Sequence, residues 1–254
     1  MINRYSVLLN GISLETLHDS IIILDVNYDD PARAYETIST AKRDGAIPSA
    51  DYKEKAVVSI AFEIHEYDIA KRQRICQTVS AWAKKGGVLE INDREGQFIS
   101  CICETLPHIG SVKNWTDELI ITFAAYAIPY WQEKTPSTVT LTGTSGSGNL
   151  YVPGSAPKTY VEATITANAA LSSVSLTVED TTITLSNLSV ASGKSIVISY
   201  DDKMIQSIKA DGVSILGKRT GADDLIAECG RINSVSFSSS ASCSVTFSAR
   251  GLWE

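Results

Sequence analysis

Soft metal ligands gather at Cys101-Ile102-Cys103, with His108 five positions further on. Residues two apart on a strand share a face, so the two thiols could converge. A structural zinc or iron site needs a second ligand pair at matching spacing, and none follows. The five cysteines (Cys76, Cys101, Cys103, Cys229, Cys243) are odd in number and irregular in spacing, which argues against a disulfide framework. Buried, reduced thiols are expected. Gly193-Lys194-Ser195 ends like a phosphate-binding loop, yet Leu188 stands where the motif needs its first glycine. The segment also runs into Ile196-Val-Ile-Ser, a strand, so no helix N-terminus follows to receive a phosphate. Asp201-Asp202 and Asp223-Asp224 are paired acids, but adjacent strand residues point to opposite faces. They read as solvated loop acids. A serine or cysteine nucleophile needs a base within reach. The three histidines, His18, His65 and His108, all lie in the first half, and no Gly-x-Ser-x-Gly flanks them. The chain is therefore expected to be no enzyme, with no catalytic residue, no metal and no cofactor.

The elements that carry these residues fall into two sets. Residues 1–135 contain 17 Ser plus Thr and residues 136–254 contain 35. The polar, proline-containing junction Trp131-Gln-Glu-Lys-Thr-Pro136-Ser is read as a domain boundary. In the first half, Asn10-Gly11 supplies the positive φ angles of a tight hairpin turn between Tyr5–Leu9 and Ile12–Leu14. Val58, Ile60, Phe62 and Ile64 alternate with Ser59, Ala61, Glu63 and His65, the period of a half-buried strand. A helix is predicted over about 68–85. Asp68 caps it, Ile75, Val79 and Trp82 share one face, and Gly86-Gly87 ends it. Leu89–Ile91 and Phe98–Cys103 flank a turn at Asp93–Gly96, and Leu119, Ile121, Phe123 and Ala125 form the inner face of a later strand. Residues of about 36–57 form an excursion around the turn signal Arg43-Asp44-Gly45. Its stretch from Arg43 to Lys55 has little apolar material for a core, so it is expected to pack on a neighbouring copy. Arg43, Asp44, Gly45 and Tyr52 are its candidate interface residues.

The second half reads as all-β. Runs at Val139–Thr142, Tyr160–Thr166, Val174–Val178, Thr181–Leu185, Ser195–Tyr200, Ile205–Lys209, Val235–Phe237 and Cys243–Ser248 suggest a sandwich of short strands. Gly143-Thr-Ser-Gly-Ser-Gly148 is read as a flexible loop. Tyr151, Tyr160 and Tyr200 are the aromatic residues that could stack on a sugar.

Net charge is −7, the wrong sign for a surface that grips DNA phosphates. Met1–Gly11 has no basic start followed by a long apolar run. The apolar-rich stretch Leu119–Trp131 is too short to span a bilayer. A soluble product made in a cytoplasm is expected, with no membrane partner.

The first-half order of elements resembles the N-terminal domain of the distal tail protein family of long-tailed, non-contractile (siphovirus-type) bacteriophages. The order is Arg43-Asp44-Gly45, then Val57–Ile64, a helix ending near Trp82, Leu89–Ile91, Phe98–Glu104 and finally Ile121-Thr-Phe-Ala-Ala-Tyr-Ala-Ile-Pro129. The second half is similar to that family's C-terminal galectin-like domain. Val152-Pro-Gly154-Ser-Ala-Pro157, Ile198-Ser-Tyr-Asp201 and Arg250-Gly-Leu-Trp253 carry that part. The family's usual Asn-Pro-Gly appears here as Val152-Pro153-Gly154. The resemblance implies a mainly β protein with one α-helix: an N-terminal β-sandwich with a helix and a protruding hairpin arm, then a galectin-like sandwich. It implies a homo-hexameric ring in the virion tail tip, assembled in the host cytoplasm. The implied partners are the tail tube protein, the tail-tip (tail-associated) protein and a receptor-binding protein. DNA would pass through the ring without being read. A lectin-like, carbohydrate-binding adhesion module is the alternative.

Overall fold

The computed structural model describes residues 5–29, 33–39, 46–108, 118–201 and 204–254; within 33–39 and 46–52 it describes the backbone. The chain is mainly β, with one α-helix among the described residues, and divides into two compact units, Met1–Trp131 and Gln132–Glu254.

The first unit begins with β1 (Val7–Leu9) and β2 (Ile12–Ser13), joined at Asn10 (φ 53°) and Gly11 (φ 75°) as the Asn-Gly pair requires. There follow β3 (Ile21–Asp29), β4 (Arg33–Ser39), β5 (Ala46–Lys53), β6 (Ala56–Ile64) and the helix α1 (Ile69–Ala83). The unit is completed by β7 (Gly87–Ile91), β8 (Gln97–Thr105) and β9 (Leu119–Ala125). The sheet runs in the order β2-β1-β7-β8-β9-β6-β3. The period-two strand is β6, central enough that Ala61 is buried along with Val58, Ile60, Phe62 and Ile64.

The Asp68 side chain accepts from the backbone N–H groups of Ala70 and Lys71, satisfying two otherwise orphaned donors of α1. Ile75, Cys76, Val79, Trp82 and Ala83 form its buried stripe. The Trp82 ring meets Phe123 of β9 edge-on at 6.1 Å, and its indole N–H donates to the Ile12 carbonyl at 3.0 Å. The helix thereby ties the first hairpin to the middle of the sheet. Gly86 (φ 56°) and Gly87 (φ 116°) turn the chain straight into β7. A Cβ on Gly87 would sit 2.2 Å from Asn10 Oδ1. Asn10 uses that closeness, donating to the Gly86 carbonyl and accepting from the Val88 N–H.

β10 (Trp131–Glu133) starts at the last residue of the first unit; the second unit continues with β11 (Ser137–Val152), β12 (Thr159–Ala167), β13 (Val174–Val178), β14 (Thr181–Leu185) and β15 (Ser195–Tyr200). Next come β16 (Gln206–Ala210), β17 (Val213–Ser214), a 3-10 turn at Leu216–Lys218, β18 (Arg219–Gly221), β19 (Ile226–Ala227), β20 (Arg231–Ala249) and β21 (Leu252–Trp253). The organising feature is the antiparallel ribbon of β11 and β20, with a register shift between Gly143 and Ser145. One half of β20 (235–239) pairs with β13, the other (243–249) with β12. Two sets of strands, β17-β16-β15-β12 and β13-β14-β18, are therefore hung on one strand. Their inward side chains, among them Ile165, Ile196, Leu176, Ile183, Phe237 and Phe247, meet in a single core.

Two expectations need correction here. The glycine-rich stretch 143–148 is not a flexible loop but part of β11. Gly146 and Gly148 lie against Leu141 and Phe237, where a Cβ would come within 3.0 Å of the neighbouring carbon. The glycines make room for side chains packed inside the bend. Val235–Phe237 and Cys243–Ser248 are likewise one strand, not two. The serine and threonine excess has a geometric basis: Thr140–Thr246, Ser175–Thr184 and Thr177–Thr182 form cross-strand hydroxyl pairs 2.9 to 3.0 Å apart. Asn233, fully buried, donates to the carbonyls of Glu228 and Arg231 and accepts from the Glu228 N–H. A buried amide so satisfied fixes the turn into β20.

Candidate functional site

The antiparallel pair of β3 and β6 ends with Asp29 opposite Val57; the pair of β4 and β5 then starts with Arg33 opposite Lys53. Successive sections of the same two chain segments thus form one ribbon leaving the sheet. Beyond Asp29 and Val57, β4 and β5 pair with each other and with no other strand among the described residues. Seven residues of β4 extend roughly 20–25 Å at strand spacing. Both outer edges present backbone N–H and C=O groups in a row, a template for another chain. Pro48 lies in β5, where a missing N–H is tolerated because the strand is not interior to a sheet. The ribbon is irregular between Glu36 and Thr37.

Of the residues expected to make the arm contact, Arg43, Asp44 and Gly45 lie outside the described residues. Tyr52 stands in β5 opposite Ala34. The sheet itself exposes two isoleucines. Ile102 (57% exposed) of β8 and Ile120 (47% exposed) of β9 point away from the core. In the sheet, Ile102 neighbours Ala124 and Ile120 neighbours Ala61. On this face the Ser59–Thr122 pair separates the two isoleucines, so they are two exposed apolar points and not a continuous patch.

The sites of possible chemistry resolve into local structure. Burial pushes the Cys101 thiol up to about 12, and burial also raises that of Cys103, whose Sγ donates to the Thr105 carbonyl. These are thiols held protonated, the opposite of what a nucleophile needs. Among the described residues, no three His, Cys, Asp or Glu side chains gather as a metal site. Gly193 (φ 80°) and Lys194 form the turn before β15, with Lys194 Nζ 2.9 Å from Asp211. Asp201 Oδ1 accepts from the Ile205 N–H, and Asp223 accepts from Arg219; Asp202 lies outside the described residues. His65 Nε2 is 2.7 Å from Glu63 Oε2. No helix among the described residues is long and apolar enough to cross a membrane.

The three tyrosines divide. Tyr160 and Tyr200 come together, ring centroids 4.9 Å apart at 45°. Tyr151 is exposed on β11, paired with the exposed Ile232 of β20. Around the tyrosine pair, Gln206 donates to the Tyr200 hydroxyl and accepts from Arg219 Nη1, which also donates to the Asp223 carbonyl. Burial chiefly holds the Tyr200 phenol up to about 12, so it stays neutral. Sequence spacing shows neither the Tyr160–Tyr200 contact nor its link to Arg219, because turns and strand crossings create both.

These features define a class: a two-unit, mainly β protein with one helix and a hairpin ribbon continuing past its sheet. No protein-family model matches the sequence, and no curated protein matches it. Solved structures do match. The chain superposes on the Dit protein of phage SPP1, described as a paradigm of hub adsorption apparatus in Gram-positive infecting phages. The TM-score is 0.72 at 10% identity, covering 97% of this chain and 98% of that one. A chain of the phage p2 baseplate in its activated conformation with Sr gives 0.51 at 8% identity, covering 98% of each. This chain therefore has the fold of a distal tail protein over 97% of its length.

Proposed function

We propose that this chain is a structural, non-enzymatic hub of a phage tail tip. Six copies close into a ring through residues 1–135, with the arm of each lying on the next. The observation that carries this reading is the β4–β5 ribbon, whose outer edges have no strand partner among the described residues. A closed ring needs heterologous contacts, one patch against a different patch. A ribbon meeting the sheet face that exposes Ile102 and Ile120 supplies such a pair. The full-length likeness to a hub protein's fold supports the same role. In that role the ring joins the tail tube protein to the tail-tip protein, and the second unit serves as a platform for a receptor-binding protein. The first 135 residues carry five more acidic than basic residues, which suits a channel that DNA slides through without being gripped. Assembly takes place in the host cytoplasm and the mature location is the virion tail tip.

A photo-reactive residue at Ala50, in β5, tests the arm contact. In a mixture of isotope-labelled and unlabelled copies, it is expected to form crosslinks between heavy and light chains, mapping to the body of the first unit. Crosslinks confined to a single copy would overturn the reading.

Glycan binding by the second unit is the alternative, favoured by the Tyr160–Tyr200 pair with Arg219 beside it. The polar groups there already engage one another. Glycan-array binding that disappears in Tyr200→Ala would establish it.

A further inference from the structure

The arm is gripped at its root. Lys53, the last residue of β5, holds its Nζ 5.2 Å from the centre of the Tyr130 ring. Two residues later, Lys55 Nζ lies 5.5 Å from the centre of the Tyr126 ring. It also donates to both Glu104 carboxylate oxygens, at 2.7 and 2.8 Å. The Tyr126 hydroxyl donates to that same carboxylate, closing a three-residue loop of contacts. The end of β3, the strand that precedes the arm, is held from the same segment. Tyr28, one residue before the end of β3, meets Trp131 edge-on at 5.6 Å. The Arg94 guanidinium lies 4.6 Å from the Tyr28 ring centre and 4.9 Å from that of Trp131. The Tyr28 hydroxyl donates to Asp93 at 2.6 Å. The short stretch 126–131 thus holds the end of β5 through Lys53, the following link through Lys55, and the end of β3 through Tyr28.

Trp131 is buried. Water reaches the contacts of Lys55, Tyr126 and Glu104, so each of these is weak and does little for the stability of the sheet. Their effect on direction is another matter. A two-stranded ribbon with no third strand is only marginally ordered by itself. A small rotation at its root moves its far end by many ångströms. Holding β5 at its end, and β3 just before the arm, restricts that freedom before any neighbour is met, which lowers the entropic cost of docking.

We propose that Tyr126, Tyr130 and Trp131 form an aromatic clamp that sets the direction of the β4–β5 arm, and that these residues with Lys53 and Lys55 govern assembly. The proposal rests on the arm reading above. It assigns them a positioning role, acting through the ribbon.

The full-length Tyr126→Ala/Tyr130→Ala variant tests it by hydrogen exchange and by the fraction assembled. Amides of 33–39 and 46–53 are expected to exchange about tenfold faster, and the concentration for half-assembly to rise about tenfold, as loss of two or three weak contacts implies. Exchange in β6 and β9 and the melting temperature should be unchanged. Tyr126→Phe/Tyr130→Phe keeps both rings and should restore arm protection and assembly. Lys53→Met/Lys55→Met removes the cations while keeping the rings and should reproduce the alanine result. Arm protection and assembly unchanged in the alanine and methionine variants would overturn the clamp. So would a uniform rise in exchange over β6 and β9, which would mark the residues as supports of the body. If removing the arm disperses the rings while the clamp variants stay assembled, only the clamp fails. If rings survive removal of the arm, the arm reading falls with it.

Discussion

Replacing residues 33–53 by a short glycine-serine turn is expected to abolish ring formation while leaving the rest of the chain folded. The ribbon β4–β5 pairs with no other described strand, so its removal takes no partner away from the sheet β2-β1-β7-β8-β9-β6-β3. The cut falls where β3 and β6 have finished pairing, at Asp29 opposite Val57. A short turn closes the shortened hairpin with little added loop entropy. Sedimentation velocity should show the assembled species replaced by single copies. The melting temperature should move by no more than a few degrees, the scale that about 1 kcal/mol produces in a domain of this size. A deletion that unfolds the chain would mean the arm belongs to the body. One that still forms rings would mean the sheet face around Ile102 and Ile120 suffices alone.

The second large effect is on stability. Trp82→Ala should destabilise the chain by about 3–5 kcal/mol, the range for losing a buried aromatic side chain and leaving a cavity. Trp82 is 4% exposed, packs edge-on against Phe123 and donates its indole N–H to Ile12. The alanine variant also loses the hydrogen bond that ties α1 to the first hairpin. Urea denaturation followed by tryptophan fluorescence and far-ultraviolet dichroism would measure it. A loss below about 1 kcal/mol would show that the site collapses around the missing ring.

The contrast between these variants follows what the residues themselves make legible. The helix is readable because its determinants are local: Asp68 caps, Ile75, Val79 and Trp82 repeat on one face, and Gly86-Gly87 stop it. The first hairpin is readable for the same reason, since Asn10-Gly11 dictates the turn. The ribbon β11–β20 is not. Gly143, Gly146 and Gly148 look like a loop because glycine weakens strands. The purpose of Gly146 and Gly148 is visible only once Leu141 and Phe237 are seen filling the space a Cβ would take, and that of Gly143 once its φ of 142° at the register shift is seen. Ser238 to Ser242 similarly reads as a break, yet β20 passes through it as the strand changes partners from β13 to β12. The clamp is least legible of all. Lys53 and Lys55 carry no local mark that they will meet Tyr130 and Tyr126; the antiparallel pairing of β6 with β9 brings them there.

Electron microscopy of the purified full-length protein, alone and with the tail tube protein, tests the central claim most directly. Class averages showing a six-fold annulus with an open centre in at least one of the two preparations are the predicted result. Single, non-annular particles in both would contradict it.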